Sequence, residues 1–200
     1  PLWSRGLGDV YKRQVIHTTS FNLISIMSTQ IRKLHARRIW DSRGRPTVEV
    51  DVILDEGTLG RGIAPAGAST GAHEAVELRD SGSEQGGWGV SKAIANVNRE
   101  IAPALMGGDV MDQRAMDDIL IALDGTPNKS RLGGNALIAT SMAVLNAAAN
   151  ARRLPLWRHL AGEAVVTLPL PEIQIFGGGA HAGRRIDIQD LLVMPVGAHS

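Results

Sequence analysis

Between residues 31 and 161 the apolar period switches from that of a strand to that of a helix, and this switch restricts the fold more than any single motif. Thr47–Leu54 alternates cleanly, with Val48, Val50, Val52 and Leu54 on one side and Glu49 and Asp51 on the other. Ile31–Trp40 alternates more loosely, and Thr58–Ala64 supplies a third strand. The turns between them carry Gly and Pro breakers, at Asp41–Pro46 and at Asp55–Gly57. An antiparallel meander with one buried face is predicted. His73–Arg79 reads as a short helix, and Ser81–Gly89, with four Gly, as a mobile loop.

Helical spacing takes over after that loop. Ser91 is positioned to cap a helix over Lys92–Leu105, whose Ala93, Val97, Ile101 and Leu105 share a face. Asp112–Leu123 groups Met116, Ile119, Leu120 and Leu123, and Asp124–Asn128 stops it. Gly133–Arg153 is Ala-rich and apolar nearly all round, so it should lie buried, with Arg152 and Arg153 at the negative end of its dipole. Pro155–Ala161 closes the series with a short helix. Strands followed by helices predict an α+β domain at about 30–165. Aromatics are only 4% of the 200 residues, so small aliphatics must fill its core.

Both ends read differently. Residues 1–26 show neither period. The uncharged stretch 14–31 carries His17, Thr18, Thr19, Ser20, Asn22, Ser25 and Ser28, too polar for the ~20 apolar residues of a membrane span. No credible export signal is present, and the segment reads as a disordered leader outside the fold, with Met27 as the natural start. At the other end Val165–Pro171 is an extended linker. Ile173–Gly183 runs from an apolar strand into glycines, and Leu191–Val196 reads as a buried strand. Residues 166–200 are thus the opening strands of a second domain.

Charge excludes some partners. The chain has 21 basic and 20 acidic residues. The leader holds three basic and one acidic residue, which leaves the rest close to neutral. Nothing here favours nucleic acid or an anionic membrane. The absence of Cys excludes thiolate chemistry and fits a reducing compartment.

Several small motifs admit two readings each. Gly67-Ala68-Ser69-Thr70-Gly71 fits a loop that approaches phosphate or metal, or a strand-to-helix turn capped by Ser69 or Thr70. The glycine run Gly177–Gly183 carries one His, His181, which is either structural or catalytic. Gln189 and Asp190 stand at one end of the last strand, as site residues or as an exposed strand end. The polar turns at 40–49 and 126–130 fit hairpin and helix-stop chemistry.

Read in order, these segments resemble enolase. The stretches are WDSRGRPTVEV (40–50), PAGASTGAHEAVELRD (65–80), IAPALMG (101–107), LDGTPNKSRLGGNALIATSMAV (123–144), LPLWRHLAG (154–162), GGAHAG (178–183) and IQDLLVMPVGA (188–198). The resemblance runs from about Ile31 onward. It implies an α+β cap domain followed by the first strands of an enolase-type α/β barrel. It also implies a Mg²⁺-dependent, cytoplasmic glycolytic lyase that interconverts 2-phosphoglycerate and phosphoenolpyruvate as a homodimer or higher oligomer. By position, Ser69 matches a metal ligand on a mobile loop formed with Gly67, Ala68, Thr70 and Gly71. His181 matches an active-site histidine near the phosphate, and Gln189 a substrate-contacting glutamine. Asp190 takes the place of a catalytic glutamate on the leaving-hydroxide side. Arg37 and Glu49 match residues that pair across the family's dimer interface.

Departures from the family cluster at 174–190. Asp190 is one methylene short. Gln174 and Gly177 stand where enolases usually have Asn, Ala180 where they have Ser, and Arg184, Arg185 and Asp187 add charge. Outside that stretch Arg45 replaces an Asn. The cluster fits an enolase-like paralogue for another hydroxy acid, a non-catalytic binding protein, or a working enolase with a compensated site. The resemblance places the lysine base, the acidic metal ligands and a phosphate-binding arginine further along the barrel, so the 200 residues alone are expected to be inactive.

Overall fold

The computed structural model describes residues 28–64, 66–67 and 71–197, with Ala180 and His181 described as backbone only. The leader reading and the placement of Ala68, Ser69 and Thr70 lie outside the described residues. Strands β1 (Ile31–Trp40), β2 (Pro46–Leu54) and β3 (Leu59–Ile63) form an antiparallel sheet in that order. Asp41 folds the first turn by accepting the amides of Arg43 at 2.8 Å and Arg45 at 2.7 Å. Val48, Val50, Val52 and Leu54 are fully buried, as their alternation predicts.

Helix α4 (Gly134–Ala151) lies directly on β3. A Cβ at Gly60 would sit 2.2 Å from the Ala143 carbonyl oxygen, and one at Gly62 would sit 2.1 Å from that of Ala139. Only glycine on the strand and alanine on the helix permit backbones this close. This explains why the most apolar helix of the chain is built from alanine. No helix among the described residues is long and apolar enough to cross a membrane.

Asparagines from the helices satisfy both edges of the sheet. On the outer edge of β3, Asn150 donates to the Leu59 carbonyl at 2.8 Å and Asn146, one helical turn back, to that of Arg61 at 2.9 Å. On the outer edge of β1, Asn98 accepts from the Ala36 amide at 2.8 Å and donates to its carbonyl at 3.1 Å. Such capping blunts edges that otherwise invite another strand.

The segment predicted as a helix at His73–Arg79 opens with a turn and a bend and has no regular secondary structure after Glu74. The Val76 amide donates to Asn128 O, the Gly134 amide to Val76 O, and Asn135 holds both backbone groups of Leu78. These distant partners take the backbone groups that a helix would have used internally. The cap of the next helix also differs. Helix α1 (Ser91–Asn96) starts at Ser91, and its first amides are accepted by Asp80, Ser91 N at 2.7 Å and Lys92 N at 2.9 Å. A wide i→i+5 turn (Val97–Ile101) joins α1 to α2 (Ala102–Leu105). Pro103 lacks an amide and its ring crowds the preceding turn, which accounts for the widening. The face Ala93, Val97, Ile101 and Leu105 is buried through all three pieces.

Helix α3 (Gln113–Asp124) is capped by Asp112, which accepts the Ala115 amide at 3.0 Å, and ends at Gly125, φ 70°. Asp124 is almost fully buried and accepts Thr126 N and Leu132 N. Helix α5 (Leu156–Ala161) follows α4.

Beyond Pro171 the chain forms an antiparallel hairpin of β4 (Ile173–Gly177) and β5 (Asp190–Val193). Every residue of both strands is exposed. Of the run Leu191–Val196, expected to be a buried strand, only Leu191–Val193 is strand, and Leu191–Val193, Met194 and Val196 are all exposed in this chain. Two strands by themselves have no opposing layer to bury a face against.

Candidate functional site

Glycine geometry builds the site at the end of the hairpin. The Gly178 amide donates to Gln189 O at 2.6 Å and the Gly179 amide to Ile186 O at 2.8 Å. A Cβ at Gly178 would stand 2.0 Å from the Ile188 carbonyl oxygen, so only glycine lets the segments meet. Gly179 then takes φ 58°, with Gln189 Cα 3.6 Å from its Cβ position. A 3₁₀ turn, Gly179–Ala182, starts there and carries His181.

This folding gathers Gln174, Gly177, Ala182, Gln189 and Asp190 around an open cavity of about 340 Å³. Two sequence-predicted site residues, Gln189 and Asp190, thus share one cavity. His181 is in the turn next to Ala182, and its side chain lies outside the described residues. Across the hairpin the Gln174 amide donates a hydrogen bond to Asp190 Oδ1. One carboxylate and two carboxamides can bind a small polar solute, and the carboxylate can carry a proton.

The described stems of the 65–71 loop are held separately. Ala66 O accepts from Arg43 Nη2 at 3.2 Å, and the Gly71 amide donates to Glu74 Oε1 at 2.8 Å. Gly67 is exposed between them. Among the described residues no three His, Asp or Glu side chains converge as metal ligands. The described donor set does not fit a divalent ion on its own.

Arg37 and Glu49 face each other across β1 and β2 of the same chain and form an ion pair. Arg37 also donates to Asp51 at 2.7 Å, and Arg61 reaches Asp51 through Nε at 2.7 Å. The Arg61 hydrogen bond, with help from Arg37, holds the Asp51 carboxyl below its usual range against the opposing effect of burial. Asp51 and Arg61 were not singled out by the sequence. Their alternation on the polar side of neighbouring strands was the signal that could have found them.

Comparison with known proteins places both parts. The family model for the enolase N-terminal domain matches residues 31–160. The chain belongs to the enolase family. The family model for the enolase C-terminal TIM barrel domain matches residues 165–200, which contain the hairpin and its cavity. The chain is 57% identical over 169 residues to Enolase 1 of Desulfitobacterium hafniense (strain Y51), covering 84% of this chain. It spans 39% of the length of that relative. Family membership implies a divalent metal, to which the described residues contribute no complete donor set.

Proposed function

We propose that the longer protein carrying this sequence is a hydro-lyase that dehydrates 2-phosphoglycerate to phosphoenolpyruvate in glycolysis. The proposal includes Mg²⁺ as the metal, a cytoplasmic setting and a homodimer or higher oligomer. In this reading residues 30–165 are the cap domain, 166–200 open the barrel, and the leader stands outside both. The observation that carries it is one cavity lined by Gln189 and Asp190, beside the turn that bears His181, in a chain of the enolase family.

The reaction removes a proton beside a carboxylate and expels hydroxide from the next carbon. Asp190 takes the second task. Protonated, it donates to the departing oxygen, water leaves, and the carboxylate remains. Gln189 donates to substrate oxygens, and His181 is the histidine assigned to the phosphate. A bound Mg²⁺ would supply Lewis acidity toward the substrate carboxylate. Ser69 offers it a hard oxygen ligand, on the loop that runs through Gly67, Ala68, Thr70 and Gly71. The lysine that removes the proton belongs to the rest of the barrel. Arg37 and Glu49 supply charge at a subunit interface.

A second reading is an enolase-like paralogue acting on another hydroxy acid. The cluster of departures at 174–190 favours it, because three of them, Gln174, Gly177 and Asp190, line the cavity. A binding protein without catalysis is the third. Following phosphoenolpyruvate absorbance from 2-phosphoglycerate tests all three. The longer protein should turn over, and the 200-residue chain should not. No turnover with retained lysine base and metal ligands points to the paralogue, and loss of those residues to the binding protein.

A further inference from the structure

We propose that Gln174 is a positioning residue for Asp190, and that the two form a length-matched pair across the hairpin. The contact is diagonal. In the strand register Gln174 stands opposite Leu192, and Asp190 opposite Gly177. The long amide arm leaves β4, crosses in front of Gly177 and donates to Asp190 Oδ1. Gly177 leaves that crossing room. A Cβ there would meet Gln174 Nε2 at 3.0 Å, closer than ordinary contact. All three residues line the same cavity.

Arm length decides whether the contact exists. Asparagine at 174 shortens the reach by one C–C bond, about 1.5 Å, which stretches the contact to the edge of hydrogen-bond range. Glutamate at 190 overruns the Gln174 amide by the same step. The longer amide, the missing side chain at 177 and the shorter carboxylate are therefore one coordinated change, and they fix the carboxylate at the cavity wall. The contact rests on geometry alone. Its catalytic consequence rests on the role proposed above for Asp190.

The test uses the longer protein and four forms: wild type, Gln174→Asn, Asp190→Glu and the double variant. Each single substitution should lower kcat on 2-phosphoglycerate by about 10- to 100-fold, the usual result of a misplacement near 1 Å, with KM within about threefold. The double variant should recover to within about threefold of wild type. Additive losses, or a gain of activity in Asp190→Glu alone, overturn the pair. A crystal structure supplies the second arm. Wild type should show Gln174 Nε2 within hydrogen-bond distance of Asp190, and Gln174→Asn should open the gap. Absence of the contact in wild type overturns the proposal whatever the activity. If wild type has no turnover, the enolase reading fails and the crystal structures still decide the pair.

Discussion

The meander β1–β3 and the hairpin β4–β5 are both antiparallel and both carry apolar residues, yet one is a core and the other lies wholly in solvent. The meander has α4 pressed on one face and asparagine caps on both edges. The hairpin has neither, and Phe176, Leu191 and Leu192 remain exposed. Strand formation needs only a local pattern and a turn. Burial needs a second layer, and among the described residues only the meander has one. The candidate site residues Gln189 and Asp190 sit on the half without that layer.

The sharpest way to break the contrast is to add volume. Gly62→Val should abolish folding of the 28–161 part, because its Cβ collides with helix backbone at 2.1 Å and overpacking has no flexible side chain to displace. Circular dichroism reads the loss, and native-like unfolding of that variant would show that α4 can lift off β3. Removing volume comes next. Ile101→Ala should cost about 2–5 kcal/mol in denaturant unfolding, whereas Leu192→Ala should cost under about 0.5 in this chain. Equal costs would erase the distinction between the two sheets.

Caps give smaller effects. Asp80→Ala should lose about 1–2 kcal/mol, since it leaves two amides of α1 without an acceptor. Burial alone raises the carboxyls of Asp80 and Asp124, but for Asp80 the Lys92 and Ser91 amides, and for Asp124 Thr126 and the Leu132 amide, outweigh it and leave both below the ordinary Asp value. A carboxyl lowered on folding stabilises above its unfolded value, about 3.9. That contribution fades as pH falls from there through the folded value. Acid titration of ellipticity should therefore unfold the meander domain below about pH 4, and Asp124→Asn should flatten that limb. The smallest effect is expected at the sheet edge. Asn146→Ala with Asn150→Ala should cost about 0.5–1.5 kcal/mol for each hydrogen bond lost and raise self-association in light scattering. Unchanged association would mean that these caps anchor α4 and do not guard β3.

Much of the fold was legible. The alternation Val48 to Leu54 named the buried face of β2, helical spacing named the face Ala93 to Leu105, and Gly125 marked the end of α3. Ala-rich composition correctly placed α4 in the core. The glycines at 60 and 62 passed as ordinary strand residues, because their meaning depends on a helix some 80 positions later in the chain. Of the candidate site, Gln189 and Asp190 were identifiable from their place at a strand end. Gln174 was visible only as a departure, since nothing local says that its amide reaches across the hairpin. His73–Arg79 failed as a helix because Asn128, Gly134 and Asn135 compete for its backbone.

The sequence by itself determined the order of the meander strands and of the helices after Ser91, the buried faces of β2 and of Ala93–Leu105, and the family to which the motifs belong. These follow from periodicity and turn chemistry, which act over a few residues. Tertiary structure alone decided which polar groups meet. Asn150 finds Leu59, Asp80 finds the start of α1, Arg37 finds Glu49 and Asp51, and Gln174 finds Asp190. A hydrogen bond forms with whatever donor or acceptor the folded chain brings within about 3 Å, and that neighbour is chosen by packing rather than by position in the chain.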